Sequence, residues 1–212
     1  MPRFTRLRVA LMVAAPFALG VLPAAAQDST ASPTPLGEPL PAVECTVEPI
    51  TYEGLAEVVS TPAATEEPTP EPEGTPAPPA LPEGVPADDE TTAAVQQTIQ
   101  ELVACQNAGD FKRVLALYSD DMLRSIVGDE LFTEEEFEAE LGTVTPREPE
   151  EEILIYFFGD VVITADGRAA VLAFGDNLEM PPPPADTLFY LVQDDDRWLI
   201  DEVNLTPDQS DA

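Results

Sequence analysis

The sequence predicts an α+β fold in which N-terminal helices pack on a curved antiparallel sheet. Apolar residues recur at helical spacing over residues 91–141, which indicates amphipathic helices. After Pro146 and Pro149 the pattern changes to short β-rich runs that end in tight turns. Because all the predicted strands follow the helices, this order favours a sheet covered by helices over alternating βα units.

Four helices are expected. The first begins at a threonine cap, Thr91 or Thr92, runs through Asn107 and ends at Gly109, which supplies the left-handed C-cap geometry. Asp110 is expected to cap the second helix. A third, short helix covers 121–127, and the fourth follows a predicted capping box headed by Thr133.

Five strands are expected after the helices. The dipeptide Asp166-Gly167 is a strong hairpin signal, and the acidic run Asp194–Asp196 marks a second turn. The predicted strands are Glu152–Phe158, Asp160–Thr164, Arg168–Gly175, Asp186–Gln193 and Arg197–Leu205.

The first 26 residues have the three parts of a secretory signal peptide: a basic start, the apolar run Val9–Leu22 and a small-residue exit. A membrane-spanning anchor is the alternative, but the run is shorter than the roughly 20 residues that cross a bilayer. Cleavage is expected between Ala26 and Gln27. The sequence therefore predicts a secreted, extracytoplasmic protein without a stable membrane anchor.

Residues 27–90 are rich in proline and acids and are predicted to be disordered, apart from an apolar island at 43–58. In an oxidising compartment the two cysteines, Cys45 and Cys105, favour a disulfide. We expect that bond to dock the island on a folded domain at 91–206, followed by a tail at 207–212. A free island with two thiols is the alternative.

Charge and composition exclude several classes of function. The chain has 41 acidic and 9 basic residues, and the predicted leader removes three arginines, which leaves a net charge near −35. Such a surface disfavours binding to nucleic acid and to anionic lipid. The absence of histidine excludes Ser-His-Asp and Cys-His catalysis, and two cysteines are too few for a structural zinc site. No metal or other cofactor is predicted.

Two runs at the start of the domain and one at its end resemble the nuclear transport factor 2-like superfamily, also called ketosteroid-isomerase-like or SnoaL-like. They are residues 102–111 with an Asn-Ala-Gly-Asp turn, residues 116–121 reading Ala-Leu-Tyr-Ser-Asp-Asp, and residues 196–203, which look like the last strand of that family. The resemblance covers about 91–205. It implies a cone-shaped domain with an apolar pocket, in a family that includes isomerases, dehydratases, epoxide hydrolases and domains without chemistry.

The chain departs from that family at its catalytic positions. The position of the isomerases' pocket tyrosine holds Leu102, and an ungapped count places Ile126 where their general-base aspartate would lie. Shifts of one to three residues would reach Ser125, Gly128 or Asp129 instead. Leucine and isoleucine transfer no proton and bind no oxyanion, so the resemblance implies the fold and weakens the case for an enzyme.

Candidate site residues form two groups. Asp160, Asp201, Tyr156 and Tyr190 lie on or beside predicted strands, where they either line a pocket as catalytic candidates or stand at exposed positions. The expected pocket or core residues are Leu102, Ile126, Phe157, Leu172, Phe174, Phe189 and Trp198.

One loop and the overall function stay open at this level. The loop containing Met180 and Pro181–Pro184 is interpreted as a tolerated insertion, a cover for the pocket or a partner-binding element.

The leading hypothesis is a secreted, non-enzymatic bacterial domain that binds a small apolar ligand or a protein. An isomerase or lyase with Asp160 or Asp201 as base, and a structural envelope component, are the alternatives. A homodimer is left open.

Overall fold

The described residues have an α+β fold with five helices packed on an open antiparallel sheet, which confirms the predicted class, although only four helices were expected. The computed structural model describes residues 38–61, 80–127, 133–177 and 185–205. The predicted leader, the loop at Met180–Pro184 and the tail at 207–212 lie outside these residues. Among the described helices, none is long and apolar enough to cross a membrane.

The helices are α1 (Tyr52–Ser60), α2 (Asp89–Ala108), α3 (Phe111–Leu115), α4 (Asp120–Val127) and α5 (Glu134–Leu141). The strands are β1 (Val85–Pro86), β2 (Leu154–Phe158), β3 (Val162–Ile163), β4 (Ala169–Asp176), β5 (Ala185–Asp194) and β6 (Arg197–Leu205).

Local capping signals placed most helix ends correctly. Gly109 ends α2 with φ 68°, and the predicted capping box at the start of α5 joins Thr133 to Glu136. The start of α2 differs from the prediction. Its N-cap is Asp88, which accepts a hydrogen bond from the Thr91 amide at 2.8 Å, because a carboxylate three residues earlier satisfies the first free amides.

Strand β1 lies inside the segment predicted to be disordered, whereas α1 occupies the second half of the apolar island at 43–58 and extends two residues beyond it. Thr51 caps α1 by accepting from the Gly54 amide, and Leu55 is the one residue of α1 that is fully buried. A nine-residue helix is marginal in isolation, so α1 depends on the surface that it covers. Residues 27–37 and 62–79 of that segment lie outside the described residues.

The strand order across the sheet is β1-β3-β4-β5-β6, and β2 pairs with the far end of β4. All these pairs are antiparallel. The register shifts between Ile155 and Phe157 in β2, and again beside Tyr190 and Leu191, where β6 carries one extra residue. Such bulges bend a strand and increase its twist.

The main core fills the space between α2 and the sheet. Alternate residues of β4 point to opposite faces, and Ala169, Val171 and Ala173 belong to this helix-facing core. The largest contributors from the other elements are Val95, Ile99, Leu102, Phe189, Leu191, Trp198 and Ile200. A second cluster joins Leu55 of α1 to Leu123 of α4 and Phe137 of α5.

The N-terminal arm, defined here as residues 38–61, is fixed to the domain at several points. The predicted disulfide Cys45–Cys105 is present, which confirms that pairing. The Arg113 guanidinium donates to the Val47 carbonyl oxygen at 2.6 Å, and Arg124 Nε donates to the carbonyl oxygen of Val58 at 3.1 Å and of Thr61 at 3.0 Å. The arm is therefore an integral layer of the folded unit.

Candidate functional site

The four catalytic candidates do not converge on one cavity. Asp160 is exposed in the turn between β2 and β3. Tyr156 donates its hydroxyl to Asp176 at 2.6 Å, at the opposite end of β4 from Arg168. Asp201 and Tyr190 lie near each other at a cluster around Arg168. The sequence identified the residue types, but the sheet distributes them over separate places.

The Arg168 cluster joins one guanidinium to three carboxylates. Its guanidinium contacts Asp166 at 2.9 Å, Glu202 at 2.9 Å and Asp201 at 3.2 Å, and lies 4.6 Å from the centre of the Tyr190 ring. Asp201 is the extra residue of the β6 bulge. Three carboxylates around one guanidinium leave no positive charge free to hold a substrate anion.

Asp201 also connects the sheet to α4. The Ser119 hydroxyl donates to Asp201 at 2.7 Å and accepts from the Met122 amide at 3.1 Å, so that Ser119 caps α4. The Ser119 amide in turn donates to the Ile200 carbonyl oxygen at 2.8 Å. The bulge thus directs Asp201 to a structural contact between helix and strand.

The protonation states in this region follow from its hydrogen bonds. The Thr164 hydroxyl and then Arg168 lower the pKa of Asp166 from its ordinary 3.8 to about 2. Burial opposes the charge of Arg168, but hydrogen bonds to Glu202 and Asp166 outweigh it and raise the guanidinium pKa. Burial raises the pKa of Tyr190, and the hydrogen bond to Asp176 raises that of Tyr156, so both hydroxyls stay protonated at neutral pH.

The predicted pocket and core residues fall into three groups. Leu102, Phe189 and Trp198 lie in the core between α2 and the sheet, as expected. Leu172 and Phe174 lie on the other face of the sheet and are half-buried. Ile126 and Phe157 are 51% and 48% exposed and lie at the surface, which corrects their assignment as core or pocket residues.

The two misassigned residues have different causes. Ile126 lies in the last turn of α4, a helix in which Leu123 alone is buried, and its side chain stays at the surface. Phe157 follows the bulge in β2. The extra residue there moves the Phe157 side chain to the face of the sheet that also carries Phe174, its partner on β4. A sequence pattern cannot show a one-residue shift of this kind.

Two shallow clefts border the N-terminal arm. One has a volume of about 170 Å³ between Leu40–Val43, α2 and the start of β2, with Val103 and Ile155 in its lining. The other, about 260 Å³, lies between Val47, α2 and the β5–β6 turn, and Arg197 and Asp196 contribute to it. Among the described residues, no group of three or more His, Cys, Asp or Glu side chains could hold a metal ion.

The face of the sheet away from α2 presents a further apolar surface. We call it the outer sheet face and define it by Phe157, Leu172, Phe174, Leu188 and Tyr190. The rings of Phe157 and Phe174 stack with centroids 4.1 Å apart and planes 15° apart. The continuous apolar run of β4, Ala169–Phe174, is a signal that both faces of this strand carry apolar side chains.

Comparison of the chain with protein-family models, with curated proteins and with solved structures finds no match.

Proposed function

We propose that the chain is an exported, non-enzymatic domain of the nuclear transport factor 2-like kind, and that it acts by binding another protein. One observation carries this proposal: the space between α2 and the sheet is occupied by packed apolar side chains. The bulges in β2 and β6 support the curvature that a cone-shaped member of that family requires.

The arrangement of the polar groups supports a role without catalysis. Leu102 is packed in the core, and Ile126 is at the surface, so neither position of the family's acid–base pair has a proton-transferring group. Asp201 is bound by Ser119 and Arg168. General acid–base work needs a carboxylate that faces a substrate, and Asp160 is exposed to solvent in the turn between β2 and β3.

The size of the clefts favours a protein over a small molecule as the bound partner. Small-molecule sites enclose about 300–1,000 Å³, and the two clefts beside the arm hold about 170 and 260 Å³. Both are shallow and open to solvent. A protein partner needs no cavity, because it binds across an exposed surface.

The Cys45–Cys105 disulfide supports export. Disulfides persist in oxidising compartments and are rare in the reducing cytosol. This bond lies downstream of the predicted leader, and it closes the arm onto α2. We therefore place the mature protein outside the cytoplasm, starting at Gln27.

Native mass spectrometry of the protein exported with its own leader tests this proposal. We expect a chain that begins at Gln27, is two hydrogens lighter than the reduced form, and carries no bound small molecule. A protein adduct recovered under the same gentle conditions would support the proposed function. A stoichiometric apolar ligand that leaves only on unfolding would contradict it and favour the ligand-binding alternative.

A further inference from the structure

We infer that the outer sheet face is the docking surface for a basic partner, a protein segment that places apolar side chains on the sheet and lysine or arginine side chains at its acidic border. The inference rests on the proposed function and names the surface and the chemistry of the partner. It depends on the exposed aromatic stack, on the part of the sheet that the other described elements leave exposed, and on the distribution of charge.

The centre of the surface is apolar. Phe157 is 48% exposed although its ring stacks on Phe174, so the pair presents one broad aromatic face to solvent. Leu172 precedes Phe174 by two residues on β4 and lies opposite Leu188 of β5. Aromatic and aliphatic groups gathered in this way are typical of the central part of protein interfaces.

Among the described residues, one other segment packs on this face, and it covers only one end of it. Leu81, which precedes β1, packs on a small cluster of Val162, Ala170 and Leu188. Those three residues are buried, whereas Leu172 and Phe174 farther along β4 are half-buried and Phe157 is exposed. The described residues therefore leave the end of β4 that pairs with β2 the more exposed part of this face.

The border of the face is acidic. Asp176 follows Phe174 by two residues on the same face, and Glu202 lies opposite Tyr190 on β6 with 44% of its side chain exposed. The nearby cation, Arg168, is already paired with three carboxylates. A partner that reaches this border with lysine or arginine side chains gains attraction, and an acidic one is repelled.

The charge of the whole chain argues against a second copy as the occupant. Each mature chain carries a net charge near −35, and four of its six basic residues already form internal ion pairs: Lys112, Arg113, Arg124 and Arg168. Face-to-face pairing of two such surfaces brings like charges together. A basic partner brings complementary charge and is steered toward the surface.

Fluorescence anisotropy with two labelled peptides tests the inference on the full mature chain. The probe is Lys-Phe-Lys-Val-Lys-Phe-Lys, and its control has glutamate at every lysine. We expect the basic probe alone to bind, with an affinity that falls several-fold between roughly 0.05 and 0.3 M salt. Phe157→Ser should weaken binding about tenfold, whereas Phe157→Tyr, which keeps the ring, should retain it.

Ile126→Ser is the matched control, because Ile126 is as exposed as Phe157 but lies on α4. Equal binding by Phe157→Ser and Ile126→Ser would overturn the assignment of the surface. Binding of the acidic peptide, or of neither peptide, would overturn the partner chemistry. A wild-type dimer that Phe157→Ser dissociates in sedimentation equilibrium would show that a second copy occupies the face.

Photocrosslinking keeps the test valid if Phe157→Ser unfolds. A benzoylphenylalanine at position 157 retains an aromatic ring there and should capture the basic probe, while the same group at position 126 should not. Equal capture at both positions would contradict the inference. Native mass spectrometry could show a bound protein while changes at position 157 alter neither peptide binding nor crosslinking. That result would overturn the assignment of the docking surface but leave the proposed function standing.

Discussion

Two buried threonines differ in what their hydroxyl groups contribute. The Thr98 hydroxyl donates to the Trp198 carbonyl oxygen at 3.0 Å and so ties α2 to β6. Thr187 is 2% exposed, and its hydroxyl has no hydrogen-bond partner among the described residues. A buried hydroxyl that gives up water without a partner costs free energy, whereas one that replaces water by a carbonyl does not.

We expect Thr187→Val to keep or raise the free energy of unfolding, by up to about 1 kcal/mol, and Thr98→Val to lower it by about 1–2 kcal/mol. Urea unfolding followed by the fluorescence of Trp198, the single tryptophan of the chain, measures both. If Thr187→Val lowered the free energy of unfolding as much as Thr98→Val does, the Thr187 hydroxyl would have a hydrogen-bond partner.

Asp166 makes stability depend on pH. Its pKa is about 2 in the folded protein against an ordinary 3.8, so the carboxylate stabilises the fold fully above pH near 3.8 and loses that effect as the pH falls toward 2. We expect Asp166→Asn to be less stable than the wild type at pH 6 and the difference to close between pH 4 and 2, as measured by urea unfolding at each pH.

Asp195→Asn provides the control for this pH dependence. Asp195 is an exposed carboxylate in the β5–β6 turn with φ 49°, a conformation that asparagine also adopts readily. The free energy of unfolding of Asp195→Asn should therefore change with pH in the same way as that of the wild type. A difference between Asp166→Asn and the wild type that persists unchanged down to pH 2 would mean that the Asp166 charge has no part in stability.

At the scale of single elements, short-range signals decided most of the helix ends. The capping box at Thr133 and the left-handed Gly109 act within a few residues, so the sequence placed α5 and the end of α2 correctly. Helix α1 was not predicted within the apolar island at 43–58, because nine residues give too short a periodic pattern. Its burial depends on Leu123 and Phe137, which lie far along the chain.

Gly109 is required for two reasons that can be separated. Its φ of 68° is strained for other residues, and a Cβ there would overlap the Thr145 carbonyl oxygen. Gly167 has φ 89° but open space around it. We expect Gly167→Ala to lower the free energy of unfolding by about 1 kcal/mol from strain alone, and Gly109→Ala to lower it by roughly 3 kcal/mol or more.

Thermal and urea unfolding of these two glycine variants provides the measurement. The difference between them reports the contact of α2 with the loop at Thr145, since the backbone strain is common to both. Similar losses would mean that the loop moves aside at little cost.

At the scale of the whole molecule, the disulfide joins segments that are 60 residues apart and fixes the N-terminal arm. Loop-closure entropy predicts that replacing both cysteines by alanine lowers the free energy of unfolding by about 4 kcal/mol. Amide exchange should then accelerate in residues 43–61 more than in β4, because the arm also loses its anchor to α2.

A dithiol reductant offers a matched comparison for the disulfide. Reduction should lower the free energy of unfolding of the wild type by the same amount as replacing both cysteines by alanine. It should leave the variant that lacks both cysteines unchanged. An unchanged wild type after complete reduction, verified by thiol titration, would show that Arg113, Arg124 and α1 hold the arm without the disulfide.

Composition and short-range pattern determined much of this protein. The excess of acids, the α+β class, most helix caps and the Cys45–Cys105 pairing follow from the sequence, because each depends on local chemistry or on simple counting. The short strand β1, which precedes α2, was not predicted. Helical spacing also identified Leu102 as a core residue. For the candidate site, the sequence named Asp201 and Tyr190 but could not show what they contact.

Only the tertiary structure decided which face each side chain occupies and which groups meet. The bulges in β2 and β6 carried Phe157 to the outer sheet face and Asp201 to Ser119 and Arg168. Tertiary contacts of Arg113 and Arg124 also join the N-terminal arm to the domain. The physical reason is the same in each case: strand register and long-range packing are set by contacts between distant residues, and a one-residue shift reverses a side chain's face.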